Sequence, residues 1–352
     1  VTTDSTAGSG PGDTTTGTYE DRVLGCLLGT MAGDAYGILT AAGDDPATAL
    51  DEPGAVAVSD ATQLTLYTVD ALVEALEWAN DGVAADETAC VWLAYLRWLT
   101  RQGEHLPPNA PVPPPRWLDR QEELTAVHDP DAETVRALLT GDMGTAARPL
   151  NPRAQGPGAL MRSAPFGLVP RIPASMVERL TVDAAALTHG SQAARATAAL
   201  LSAVIRSLAI EGTTLDEAVA TARAGERIAA EDAGHDAGRG LAGGADTSGA
   251  GADGAAADGA TAAGTFEAAL QAVVEGADES SSPRDHLVAA LGHAAHAGRP
   301  DASPMVAASL AGGIVGALHG TRALPAGYLT SPGVPAVVRS MARTLLSATT
   351  GT

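Results

Sequence analysis

Aromatic side chains make up only 3% of this 352-residue chain, and its 21 basic residues are outnumbered by 42 acidic ones. A net charge of −21 excludes a general binder of nucleic acid or anionic membrane, because either partner demands a positive field. Runs of Val, Ile, Thr and Tyr of the strand type are nearly absent, which argues against a β fold. There are two cysteines, Cys26 and Cys90, far apart and each inside an apolar helical pattern. They read as buried thiols rather than as a disulfide. No stretch reads as long and apolar enough to span a bilayer, and the N-terminus lacks a basic and apolar signal pattern. The expectation is a cytoplasmic protein with no membrane contact.

What is present is alanine and glycine, whose small side chains let helices approach closely. The fold class expected is all-α: a single compact orthogonal helical domain over residues 19–350. Residues 1–18, rich in Thr, Ser, Gly and Asp, read as a disordered tail, and the Gly/Ala/Asp-rich stretch 224–264 as a flexible insert. Inside that insert Gly244–Gly249 imitates a ligand motif, but no apolar helix follows it. The segment from Asp21 to Ala35 predicts a buried helix with Gly25, Gly29 and Gly33 on one line. Residues 38–57 read as a loop. Further helices are expected to about Ala79, from about Asp86 to Arg101, over Asp131–Leu139, on both sides of Leu187–Ser191, near 264–276 and 284–297, through Gly320, and near 335–347. Pro165 is expected to limit a short helix after the Gly-rich turn.

Four stretches carry candidate chemistry. Ser59-Asp60-Ala61-Thr62 opens a helix whose Leu64, Tyr67, Thr68, Ala71, Leu72, Ala75 and Leu76 share one face. Ser59 or Asp60 is then an N-cap, or the clustered oxygens are a hard-metal site. Asp34 ends an apolar helix, where a buried carboxylate needs partners. Gln155-Gly156-Pro157-Gly158-Ala159-Leu160-Met161-Arg162 is a turn able to offer backbone N–H groups to an anion. His189 precedes a glycine between two helices, as a C-cap, a core-edge histidine or a ligand contact.

Taken in order, these stretches resemble the ADP-ribosylglycohydrolase family. Arg22 to Gly37 is similar to its opening Gly-Asp-Ala-x-Gly helix. Gln155 to Pro165 is similar to its Gly-rich Met-Arg turn. Leu187-Thr188-His189-Gly190 and Ala317-Leu318-His319-Gly320, followed by Ala323-Leu324-Pro325, also match. The resemblance implies an all-α fold with two Mg²⁺ ions in a cleft and release of ADP-ribose from a modified side chain. It assigns Ser59, Asp60, Thr62, Asp301 and Ser303 to metal positions, and Asp34, Gly156, Gly158, Met161, Arg162 and His189 to ligand binding. The chain departs from the pattern where the metals belong. Ala61 stands in place of the second aspartate of the first cluster. In the late cluster, anchoring on His296-Ala297-Gly298 puts Arg299 at the first aspartate and keeps Asp301 and Ser303. Anchoring on Gly316–Gly320 instead leaves no aspartate, with Ser303 and Met305 at the two positions. The closer local match favours the first. The family's early glutamate is also missing from Ile38-Leu39-Thr40-Ala41, so no catalytic residue is assigned. Two carboxylates do not hold two hard cations tightly, so magnesium binding is expected to be absent or weak. The reading is a catalytically impaired, regulatory binder of ADP-ribose or a related nucleotide. The alternative is an active ADP-ribosyl hydrolase that uses one metal or none.

Overall fold

The computed structural model describes residues 17–54, 57–124, 130–225, 227 and 259–351. Most of the tail and of the 224–264 insert, including Gly244–Gly249, lies outside these residues. The described chain is helical, with no strand and one isolated bridge between Thr145 and Arg148. Its main helices are α1 (Tyr19–Ala42), α2 (Asp60–Asn80), α3 (Glu87–Arg101), α4 (Ala132–Leu138), α5 (Ala174–Ala186), α6 (Gln192–Arg206), α7 (215–225), α8 (Ala262–Glu279), α9 (Pro283–Ala295), α10 (Pro304–His319) and α11 (Val334–Thr350).

The central feature is the antiparallel pair α1 and α10, which share the most extensive helix contact. Small residues permit it. A methyl group at Gly25 would meet the Gly316 carbonyl oxygen at 2.5 Å, and one at Gly33 would lie 2.6 Å from the Ala308 carbonyl carbon. One at Gly29 would lie 2.9 Å from the Gly312 carbonyl carbon and closer still to its oxygen. Backbone therefore packs on backbone along the pair. Helices α8 and α9 cover α10, while α11 packs on α1 and α2, and α3 packs on α2. Cys26 and Cys90 are buried free thiols.

Local signals set most boundaries. Thr18, Ser59, Asp86, Asp131, Thr261, Ser282 and Ser303 each cap a helix by accepting a backbone N–H in its first turn. Three expectations are corrected. Helix α1 runs on through Ile38–Ala42, where Leu39, Ala41 and Ala42 favour helix, and stops only where Gly43 takes the left-handed conformation at φ 77°. A further helical turn, Ala47–Asp51, occupies the expected loop. Pro165 follows the short 3-10 turn Leu160–Arg162 and sits at the start of a further short helix over Ala164–Gly167, where its missing N–H costs nothing.

The third correction concerns hydropathy. Tyr19–Ala42, Gln192–Glu211 and Pro304–Ala323 are each long and apolar enough to cross a bilayer. In the fold, 78%, 50% and 72% of their most apolar windows are buried against other helices. Alanine and leucine used for close internal packing raise hydropathy as a lipid-facing surface would.

Candidate functional site

Asp34 lies on α1 one residue beyond the closest approach to α10, and it is fully buried. Its partners come from the start of α2. Ser59 donates its N–H at 2.9 Å and its hydroxyl at 2.6 Å, and Thr62 donates its N–H at 3.2 Å and its hydroxyl at 2.6 Å. Burial pushes the Asp34 carboxyl above the usual carboxylate range, and these four donors oppose the shift. The Ser59 oxygen also accepts the Ala61 N–H at 3.0 Å. Asp34, Ser59 and Thr62 thus form one network that locks α2 to α1.

Asp60 points elsewhere. Its carboxylate accepts the Asp131 N–H at 2.7 Å. Burial, with Asp131 and Asp34 adding repulsion, raises its pKa to about 7. Asp131 caps α4 and its carboxylate lies 3.5 Å from His189 Nε2. Glu133, one residue into α4 from Ala132, is buried and lies 3.1 Å from the same nitrogen. His189 is fully buried, and its Nδ1 shares a 2.8 Å hydrogen bond with the Thr188 hydroxyl.

The Gly-rich turn closes over this group. The Gly156 N–H donates to Glu133 at 3.1 Å. Gly158 is held to glycine because a methyl group there would lie 2.5 Å from the Asp131 carboxyl carbon and 2.8 Å from His189 Cε1. Arg162 is 1% exposed, with its guanidinium over the Tyr95 ring at 4.5 Å. It donates to Thr134 Oγ1 at 3.0 Å, the Gly158 carbonyl at 3.0 Å and Thr188 Oγ1 at 2.5 Å. The turn as it stands therefore directs the Gly156 amide to the Glu133 carboxylate and Arg162 to the framework. Met161 is packed in the hydrophobic core, its carbonyl accepting from Thr65 at 3.1 Å.

The late cluster sits at the start of α10. Asp301 is half-exposed and pairs with Arg299 at 3.1 Å, and Ser303 caps the helix. Met305, two residues on, abuts Gly37 of α1, so the cluster and Asp34 lie toward the same end of the α1–α10 pair. Neither Asp301 nor Ser303 hydrogen-bonds with Ser59, Asp60 or Thr62 among the described residues. The structure thus gathers Asp34, Ser59 and Thr62 in one network and Asp60, His189, Gly156, Gly158 and Arg162 around α4. Sequence reasoning missed Asp131, Glu133 and Thr134. An acidic pair in the first turn of a short helix looks like ordinary capping, and only burial of Glu133 sets it apart.

The ADP-ribosylglycohydrolase family model matches residues 15–351. The chain belongs to the ADP-ribosylglycohydrolase family. A solved structure titled "ADP-ribosylglycohydrolase-related protein complex" resembles it with a TM-score of 0.56 at 18% identity, over 94% of this chain and 99% of that one. At that identity the likeness concerns the fold. No curated protein matches the chain.

In this ADP-ribosylglycohydrolase-family chain, the side chains at the positions that the resemblance assigns to metal are engaged with other groups of the protein. Ala61 is buried and brings no oxygen to the start of α2. Ser59 and Thr62 direct their hydroxyl protons at Asp34. The remaining carboxylates are Asp60, tied to the Asp131 amide, and Asp301, neutralised by Arg299. The last turn of α1, Ile38–Ala41, carries no carboxylate, and the first acid beyond it is Asp44.

Proposed function

We propose that this protein retains the family fold but not its two-magnesium hydrolase chemistry, and that it binds ADP-ribose or a related nucleotide in a regulatory role. The observation that carries this reading is the Arg299–Asp301 ion pair at 3.1 Å together with Ala61. A guanidinium beside one surviving carboxylate supplies the charge that a cation would bring, and the second aspartate of the first cluster is replaced by a methyl group. Two carboxylates leave a pair of hard cations under-coordinated and their charge unbalanced. Activity of the family does not pass to a member with its fold alone.

One observation favours a second reading, a metal-independent hydrolase. Burial of Asp60 beside Asp131 raises its pKa to about 7, toward the range suited to a general acid or base.

Calorimetric titration of the chelator-treated full chain separates the two. Titrants are Mg²⁺ and ADP-ribose, each alone and together, with release of ADP-ribose from a modified protein followed in parallel. Binding of ADP-ribose without Mg²⁺ and without turnover is the expected result. Turnover that persists in chelator supports the second reading. Tight Mg²⁺ binding that promotes ADP-ribose binding overturns both. Ala61→Asp with Arg299→Asp is expected to create Mg²⁺ binding in the folded chain. A folded double variant still blind to Mg²⁺ refutes the alignment of the late cluster.

A further inference from the structure

We propose that Asp131, Glu133 and His189 form a binding site for one divalent ion of the zinc class, separate from the family's magnesium positions. One ligand atom from each lies within 4.8 Å of the others. His189 Nε2 stands 3.1 Å from Glu133 Oε2 and 3.5 Å from Asp131 Oδ2. Bonds of about 2.0–2.2 Å at tetrahedral angles give donor–donor edges of roughly 3.3–3.6 Å. The two edges from His189 are therefore close to those of a zinc coordination polyhedron, and the Asp131–Glu133 edge lies within 4.8 Å.

Two buried atoms point to a ligand. His189 Nε2 is fully buried without a hydrogen bond, because its ring direction misses both neighbouring carboxylate oxygens despite the short distances. Glu133 Oε1 is buried with no partner. An unpaired buried carboxylate oxygen is costly, and no arginine or lysine pairs with Glu133 among the described residues. Arg162, the nearest framework cation, spends its donors on Thr134, Gly158 and Thr188. A divalent ion between the three groups would satisfy His189 Nε2 and offset the two carboxylate charges.

The surroundings are those of ligands held in place. The far nitrogen of His189 is fixed by Thr188, which Arg162 braces in turn. Glu133 Oε2 accepts the Gly156 N–H, and Asp131 accepts the Thr134 N–H at 2.7 Å. Gly158 leaves the face beside Asp131 and His189 free of a side chain. Asp131 is partly exposed at 15%, which gives the site one open side for a water or an exogenous ligand. One imidazole nitrogen among the donors favours Zn²⁺ or Co²⁺ over Mg²⁺, which takes oxygen.

The inference does not rest on the nucleotide reading, and its test contains neither nucleotide nor magnesium. Chelator-treated full-length protein is titrated with Co²⁺, read by visible absorption, and then with Zn²⁺ by calorimetry. One equivalent with tetrahedral-type absorption is expected, displaced by Zn²⁺. Asp131→Asn and Glu133→Gln should each weaken binding at least tenfold. Both keep their backbone hydrogen-bond acceptors, so folding is checked simply by circular dichroism. The half-buried His293, 3.0 Å from Glu279, is the obvious surface competitor, and His293→Ala should leave binding unchanged. Absence of stoichiometric binding by the folded parent overturns the proposal. So does binding that survives both carboxamide variants, or that vanishes in His293→Ala.

Discussion

Gly29→Ala adds one methyl group in the middle of the α1–α10 contact. The methyl would lie 2.9 Å from the Gly312 carbonyl carbon, whereas carbon atoms rest about 3.5–4.0 Å apart. The obstacle is backbone and cannot swing aside, so the helices must separate locally by roughly 1 Å. Overpacking of a filled core costs about 1–3 kcal/mol, and a rigid backbone obstacle belongs at the upper end. Alanine in a helix interior recovers about 1 kcal/mol of propensity over glycine. The balance is a loss of about 2 kcal/mol, a large share of a typical folding free energy. Urea unfolding followed by far-UV circular dichroism measures it, with unchanged slope expected. Gly298→Ala is the control, since nothing lies within 4 Å of a methyl there. Gly312 mirrors Gly29, so the double variant Gly29→Ala, Gly312→Ala should lose less than the sum of the single changes. Once the helices part, the second methyl meets less resistance. A Gly29→Ala protein as stable as the parent, or stabilised by the propensity gain alone, would refute the close backbone contact.

Three further outcomes follow from buried charge. Asp70 pairs with Arg97 at 2.5 Å and with Arg116 at 3.0 Å, both carboxylate and Arg97 being buried. Asp70→Asn should cost about 3 kcal/mol, the low end for a broken buried pair because Asp119 still stands 3.2 Å from Arg97; a loss under about 1 kcal/mol in chemical denaturation would contradict it. Asp60, raised by burial to about 7, favours the folded state when protonated. Its contribution is full below the unfolded carboxyl range and is lost as pH rises through 7, so Asp60→Asn should gain on the parent at pH 8 relative to pH 4, by on the order of 4 kcal/mol at most. A pH-independent difference in stability would count against the buried charge. Burial lowers His319 to about 4, with His286 2.9 Å away adding repulsion. Such a depressed pKa stabilises the fold above about 6.5 and withdraws that support as pH falls toward 4, so His319→Gln should flatten the acid limb of a melting-temperature profile.

The sequence pattern reached the helices better than their ends. Helix α1 is legible from Gly25, Gly29 and Gly33, whose fourfold spacing implies a close partner, and α10 spaces Ala308, Gly312 and Gly316 in the same way. That the two lines face each other is a tertiary fact. The loop expected after Gly37 failed because Asp44, Asp45 and Pro46 drew the boundary too early, while the real stop is the left-handed Gly43.

The site divides in the same way. Ser59 and Thr62 were recognisable as a cluster, but nothing in Ser-Asp-Ala-Thr says that their hydroxyl groups will donate to a carboxylate 25 and 28 residues earlier in the chain. Asp34 and the α2 cap become one network only because α1 and α2 meet at that point. The same limit hides the group around His189. Its members come from two loops and the first turn of α4, and Asp131-Ala132-Glu133-Thr134 carries no periodic or motif signal beyond capping. What distinguishes Glu133 from a solvated first-turn acid is its burial, and burial here follows from the Gly156–Arg162 turn folding over it. Arg162 makes the point from the other direction. A Gly-rich turn followed by arginine reads as an anion cradle, yet the guanidinium is stacked on Tyr95 and bound to Thr134 and Thr188. Its charge holds the framework around three potential ligands, and removing it would loosen His189 through Thr188 before it touched any bound phosphate.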